Sequence, residues 1–344
     1  MQPRKGLLSL CAGMVALASW AAPRAMAQAI VANHTSTDIT AIPLDAIQQA
    51  KDTLHIAYGH TSHGSQLMTA AWALNAFANG GGLGLSLPPD TLSVSFGDSG
   101  GASLDFRDGV MADDVGYYPQ WYDETRRYLA HPEGADINVV MWAWCGQLSY
   151  WTPQEIQDNY LTPMALLEAE YPDVRFIYMT GHADGSGEEG TLHANNELIR
   201  SYCLASNKIL YDFYDIELYD PDGVYYGDRH VTDACTYDFD GDGVASQTEE
   251  TPASPPLPIP PDRNWAIDWQ GGHTEGVDWF TCESAHSQPI NANIKAYAAW
   301  YLFARMAGWD GGQPPAPSLS IEDASRSESD AGATTVAFTV RLEE

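Results

Sequence analysis

The stretch "TLHIAYGHTSHGSQLMTAAWALNAFANGGG", residues 53–82, carries three signals in succession. Residues 53–59 form a short apolar run that ends in Gly, the pattern of a buried strand. A polar loop with His60, Ser62 and His63 follows, and residues 65–78 then have helical composition. The helix must stop at the Asn-Gly-Gly-Gly run. A strand that turns through a polar loop into a helix is the opening of a βα unit.

The rest of the chain repeats that unit. "PLDAIQQAKD" (43–52) reads as a preceding helix, and "DTLSVSFGDSGG" (90–101) as a second strand with a turn. "PQWYDETRRYLAHP" (119–132) is a helix bounded by prolines. "INVVMWAW" (137–144) is β-branched and apolar throughout, so it reads as a strand buried on both faces. "TPQEIQDNYLTPMALLEAEYP" (152–172) is helical, with Thr152 at the N-cap and Glu155 placed to complete a capping box. "VRFIYMTG" (174–181) is a fourth strand, "LHANNELIRSYCLAS" (192–206) a helix, and "KILYDFYDIE" (208–217) a fifth strand. "NANIKAYAAWYLFARMAGW" (291–309) closes the series as a helix that stops at Gly308. The alternation predicts an α/β fold, a three-layer α/β/α sandwich on a parallel five-stranded sheet. Such sheets carry their sites at the carboxyl ends of the strands, here the loops 59–65, 97–103, 145–150, 181–190 and 218–286.

The chain has 344 residues, 44% hydrophobic, with 11 Trp and 18 Tyr, enough apolar surface for a substantial core. Its net charge of −30 repels nucleic acid and anionic membranes. "MQPRK", an apolar run and "AMA" (25–27) have the form of a signal peptide over residues 1–27. That run is too short and too broken by Ser and Gly to serve as a membrane span. The expectation is a secreted chain, periplasmic, extracellular or at the cell surface, without membrane insertion. Export makes disulfides among Cys145, Cys203, Cys235 and Cys282 the expected state, with three pairings possible. Topology favours Cys145–Cys282, whose loops overlie one sheet end, and Cys203–Cys235.

Residues 218–282 form an insertion too long to be structureless. Within it, "DFDGDGVASQTE" (238–249) matches the twelve-residue calcium loop of EF-hands. Asp238, Asp240, Asp242, Ser246 and Glu249 would supply side-chain oxygens and Val244 its carbonyl. A Pro-rich run follows where an exiting helix would stand, so the expected Ca²⁺ is structural.

Ser62 lies where a helix N-terminus can stabilise developing negative charge. "CESAHSQP" (282–289) supplies the other members of a triad, His286 as base and Glu283 one turn away to orient it. A serine after the first strand, a polar loop after the third and an acid-x-x-His before the last helix resemble the SGNH (GDSL-type) hydrolases over residues 50–309. The match lies in arrangement, with "HTS" (60–62), "WCGQ" (144–147) and "ESAH" (283–286) at the motif positions. The resemblance implies a flavodoxin-like order of strands, Ser62, His286 and Glu283 as catalytic residues, and no catalytic cofactor. It also implies oxyanion donors from the Ser62 N–H, Gly100 or Gly101, and the Gln147 amide. "FGDS" (96–99) carries the family's letters at Ser99, but after the second strand. His60, His63, His182 and Asp184 line the same loops, as substrate contacts or, alternatively, as the ligands of a metal-dependent hydrolase.

Residues 311–318 read as a linker, and residues 319–344 resemble the opening of a Calx-beta domain. The hydrolase-like domain then covers residues 28–310. The expected function is a secreted serine esterase acting on a small-molecule or polysaccharide ester, an acyl group on a carbohydrate or glycoconjugate. The alternative of another class is a non-catalytic, calcium-stabilised surface or adhesion protein.

Overall fold

A computed structural model describes residues 28–245, 262–312, 318–321 and 340–343. Its centre is a sheet of seven strands: β1 (Ile30–Ala32), β2 (His55–Gly59), β3 (Val94–Ser95), β4 (Leu104–Asp108), β5 (Val139–Trp142), β6 (Arg175–Met179) and β7 (Ile209–Tyr211). The order is β1-β7-β6-β5-β2-β4-β3, and every pairing is parallel. The expected five-stranded sheet is therefore a seven-stranded one. Its inner five strands keep the 2-1-3-4-5 order of flavodoxin-like folds, with β4 in second place.

Two strands escaped the sequence pattern for physical reasons. β1 is only three residues long. β4, "LDFRD", is interrupted by charges yet is buried, because those charges satisfy one another. The Arg107 guanidinium donates to Asp105 at 2.6 Å and to Asp136 at 2.5 Å. His55 Nδ1 lies 2.9 Å from the same Asp105 carboxylate. The 90–101 segment contributes only the two-residue edge strand β3. "KILYDFYDIE" is also divided: β7 ends at Tyr211, and Asp212 caps the short helix α7 (Phe213–Glu217) by accepting from the Asp215 N–H.

The helices are α1 (Leu44–Thr53), α2 (Ser65–Asn79), α3 (Gln120–Leu129), α4 (Pro153–Ile156), α5 (Thr162–Glu170), α6 (Thr191–Ala205), α8 (Trp265–Gly272) and α9 (Pro289–Met306). α1, α2 and α9 pack together, as do α3 with α5 and α4 with α6. Right-handed crossovers place these two groups on opposite faces, because the strand order reverses at β2. The Thr152–Glu155 capping box forms as its spacing predicts. α4 and α5 join through a π turn, Gln157–Leu161, ahead of Pro163, which has no N–H to give. The Asn159 carbonyl that such a donor would have met accepts from the Trp121 indole at 3.2 Å instead.

The insertion adds a small antiparallel pair, β8 (Thr236–Tyr237) with β9 (Arg263–Asn264), and α8. β10 (Ser318–Ile321) pairs antiparallel with β11 (Val340–Glu343), so Ser318 belongs to a strand rather than to the linker. The remainder of the Calx-beta-like segment and the signal peptide, residues 1–27, lie outside the described residues. Among the described residues no helix is long and apolar enough to cross a membrane.

Candidate functional site

The strand order reverses between β2 and β5, and a crevice at that point is where open α/β sheets bind ligands. β2 feeds the loop His60–Gly64, and β5 runs through Ala143 and Trp144 to Cys145. Gly64 lets the two loops approach. A Cβ there would stand 2.4 Å from His60 Cβ and 2.7 Å from Ala143 Cβ. The Tyr58 hydroxyl donates to the Gly64 carbonyl at 3.0 Å and pins the turn from below.

His63 is the centre of the site and is buried. Its Nε2 faces an Asp233 carboxylate oxygen at 2.9 Å, which can only accept, so Nε2 carries a proton. Its Nδ1 lies 3.6 Å from Cys145 Sγ. His182 stacks on one face of the ring at 3.6 Å between centroids, and His286 stacks against it at 4.5 Å. Burial alone would lower the His63 pKa, but hydrogen bonds to Asp233 and Cys145, with the charge of Glu217 behind them, raise it to about 9. The His63 hydrogen bond lowers the Cys145 pKa against the opposing effect of burial, with the Gly146 N–H adding to it. Both shifts favour a thiolate–imidazolium pair. Burial would raise Asp233, yet His63, His182 and His286 together hold it below the ordinary carboxylate range.

His182 stays neutral beside that cation. Burial lowers its pKa and the His63 charge lowers it further. Its Nδ1 must donate to the Ala183 carbonyl, 2.8 Å away. Nε2 is then a bare lone pair, buried and without a partner.

A buried charge pair ties these loops together. Lys295 on α9 donates to Glu217 at 2.5 Å and also to Gln66, and both members of the ion pair are wholly buried. The other Glu217 oxygen accepts the Ala183 N–H at 2.7 Å, which fixes the His182 loop. Gln66 donates to the Ala285 carbonyl at 2.5 Å, next to His286. Burial pulls the Lys295 pKa down, and Glu217 opposes that.

The expected residues fall into two groups. Ser62, His63, His182 and His286 do come together, but not as the expected relay. The Ser62 hydroxyl has Cys145 Sγ, at 4.0 Å, as its partner. His286 meets the site by stacking, and Glu283 makes no ion pair with it; the Glu283 carbonyl accepts from the Thr69 hydroxyl instead. Gly100 and Gly101 sit at the opposite, amino end of the sheet, where Gly101 accepts from Gln48 of α1. The Gln147 amide donates one of its two N–H bonds to Asp114 at 3.0 Å. Ser99 closes a turn on Ser103, at 2.7 and 2.9 Å, at that same amino end.

The four residues proposed as a metal set do not converge. His60 commits Nε2 to Asp108 at 2.5 Å and Nδ1 to the Thr61 carbonyl at 2.7 Å. Asp184 accepts from the Ser186 N–H at 2.9 Å.

All four described cysteines are free, which corrects the expected pairings. Cys145 turns to His63, Cys282 to Asn293 and Cys235 to the Ser287 hydroxyl, while Cys203 is a buried residue of α6. Burial pushes Cys235 and Cys282 up to about 12 and Cys203 higher still, so Cys145 alone among them has thiolate character.

In the insertion, the Asp238 carboxylate accepts the N–H groups of Gly241 and Gly243. Asp240 accepts from Asp242, and Asp242 from Val244. Ligand oxygens of Asp238, Asp240 and Asp262 lie within 4.8 Å of one another. Ser246 and Glu249 lie outside the described residues.

Sequence reasoning missed the placement of two residues in this candidate site. Cys145 stands at the carboxyl end of a fully buried strand, ahead of Gly146, which was a usable signal for a reactive group. Asp233 reaches the site from within the insertion, and no motif surrounds it.

No family model matches the chain, and no curated protein matches it. A search of solved structures finds similarity to a candidate acylhydrolase from Bacteroides fragilis, at 8% identity and a TM-score of 0.30, over 50% of this chain and 73% of that one.

Proposed function

We propose that this chain is a hydrolase of the acyl-transfer class that uses Cys145 as nucleophile, His63 as acid–base and Asp233 as the group that orients it. The observation that carries this reading is the chain of contacts from Cys145 Sγ to His63 Nδ1, at 3.6 Å, and from His63 Nε2 to Asp233, at 2.9 Å. The thiolate attacks an ester carbonyl, and the C–S bond forms as the carbonyl pair moves onto oxygen. N–H groups of Ser62, His63 and Gly64, just ahead of α2, donate to no other protein group among the described residues and suit that oxyanion. The tetrahedral adduct collapses, the C–O bond breaks, and His63 protonates the departing alkoxide. Water then attacks the thioester, gives its proton to His63, and releases the acid and the thiolate.

Esters of carbohydrates, as small molecules or polysaccharides, are the proposed substrates, with secretion as the proposed location. A p-nitrophenyl ester series, with Cys145→Ala and Ser62→Ala side by side, tests the nucleophile.

We also propose that the 238–249 loop holds a structural Ca²⁺, on the strength of its ligand spacing and of hard carboxylate oxygens at Asp238 and Asp240. At a hundredfold excess over the dissociation constant, calcium adds ~2.7 kcal/mol to stability. Thermal unfolding monitored by circular dichroism should therefore shift upward by several degrees with calcium. The shift should vanish in Asp240→Asn; an equal shift in that variant would place the ion elsewhere.

A further inference from the structure

The mouth of the site holds a donor set that the acyl-transfer reading does not use. His286 is exposed, its ring makes no hydrogen bond among the described residues, and it stands on the open side of His63. One ligand atom each from His63, Asp233 and His286 lies within 4.8 Å of the others. Two imidazoles and one carboxylate are a donor set for zinc and related divalent ions, with a fourth position open. Zinc bonds of ~2.0–2.2 Å set ligand atoms roughly 3.3 Å apart, so an ion would draw these side chains inward by about an ångström. His286, whose ring makes no hydrogen bond among the described residues, can make that movement. The net charge of −30 raises the local concentration of any cation.

We propose that a divalent transition ion binds between His63, Asp233 and His286 through the His63 Nε2, the ring nitrogen opposite Cys145. The ion replaces the proton that His63 shares with Asp233. An imidazole held by the metal at Nε2 is no longer oriented by Asp233, and its remaining Nδ1 proton is a poor one to give to a departing alkoxide, because its loss would leave an imidazolate. The ion is then a reversible block on the acid–base step assigned to His63 above, and the block rests on that assignment, although metal binding itself does not.

The test uses the full chain, stripped with a chelator and then saturated with Ca²⁺ so that acidic loops are filled. Zinc is titrated against a chromophoric chelator, and p-nitrophenyl acetate hydrolysis is followed with and without zinc. One zinc should bind per chain, and Cys145→Ser should retain it. His286→Asn should weaken binding at least tenfold; Asn suits the left-handed backbone there, at φ 64°, so this variant keeps the loop. Asp233→Asn, as a second variant, should weaken binding similarly. Zinc should slow hydrolysis at least tenfold in the parent chain and less than twofold in His286→Asn. Absence of zinc uptake, or uptake unchanged in both variants, would overturn the proposal. A chain inactive without zinc would instead defeat the acyl-transfer reading and leave the zinc count standing.

Discussion

Cys145→Ala should remove ester hydrolysis by a factor of ~10³ or more, since the loss of a nucleophile leaves only binding and oxyanion stabilisation. Its unfolding midpoint should barely move, because the thiol is half-buried and its polar contacts are to His63 and Ser62. Ser62→Ala should keep activity within about tenfold of the parent. Among the described residues the Ser62 hydroxyl hydrogen-bonds Cys145 Sγ, at 4.0 Å, and the Ser62 carbonyl accepts from the Ser65 hydroxyl, while the N–H survives the substitution. Steady-state rates on p-nitrophenyl acetate separate the two. The reverse pattern, with Ser62 essential and Cys145 dispensable, would restore the serine mechanism that the SGNH resemblance implies.

Lys295→Met should destabilise the chain by ~3–5 kcal/mol, the usual cost of leaving a buried charge without its partner. Glu217 would then keep its Ala183 and Asn291 donors but lose the ammonium, at no exposure to water. Lys295 also lies 3.8 Å from the Phe213 ring centroid, a contact that the methionine largely preserves. The double variant Lys295→Met with Glu217→Gln should recover most of the loss, because it removes both charges and keeps an acceptor for the Ala183 N–H. Urea unfolding of the four proteins measures the coupling. Losses that simply add, or a single-variant effect below about 1 kcal/mol, would show that the pair does not hold the loops together. A second consequence follows from its connections. Glu217 anchors the His182 loop, and Gln66 anchors the segment before α9, so a weakened pair should also lower activity through loosened geometry rather than lost chemistry.

The parts of the fold that were legible in the sequence are those governed by local rules. Apolar runs such as residues 137–144 and caps such as Thr152 with Glu155 announced their elements, and Gly308 ended α9 where a helix stop was expected. β4 was not legible because its charged residues are buried by pairing with His55 and Asp136, which no local window contains. Residues 212–217 share the apolar texture of β7, and only the Asp212 cap separates them as a helix. The carboxyl-end rule pointed to loops 59–65, 145–150 and 181–190, which bring His63, Cys145 and His182 together. It did not say which nucleophile would meet a base. Export argued for pairing Cys145 with another cysteine, whereas in the fold its sulfur faces His63. Asp233 depended on how a long insertion folds back over the sheet, which is a tertiary fact.

Alkylation of Cys145 by iodoacetamide, followed by peptide mass spectrometry from pH 5 to 10 in the presence of a chelator, tests the thiolate–imidazolium pair most directly. The attacking species is the thiolate, and the His63 hydrogen bond lowers the Cys145 pKa from 9.0, so the rate should reach half its maximum below that pH. Cys203, Cys235 and Cys282, all raised by burial, should remain unlabelled in the folded chain. In Asp233→Asn the His63 cation loses its main support, so the Cys145 inflection should move up toward 9.0. An inflection at or above pH 9.0 in the parent chain, or no response to Asp233→Asn, would contradict the account.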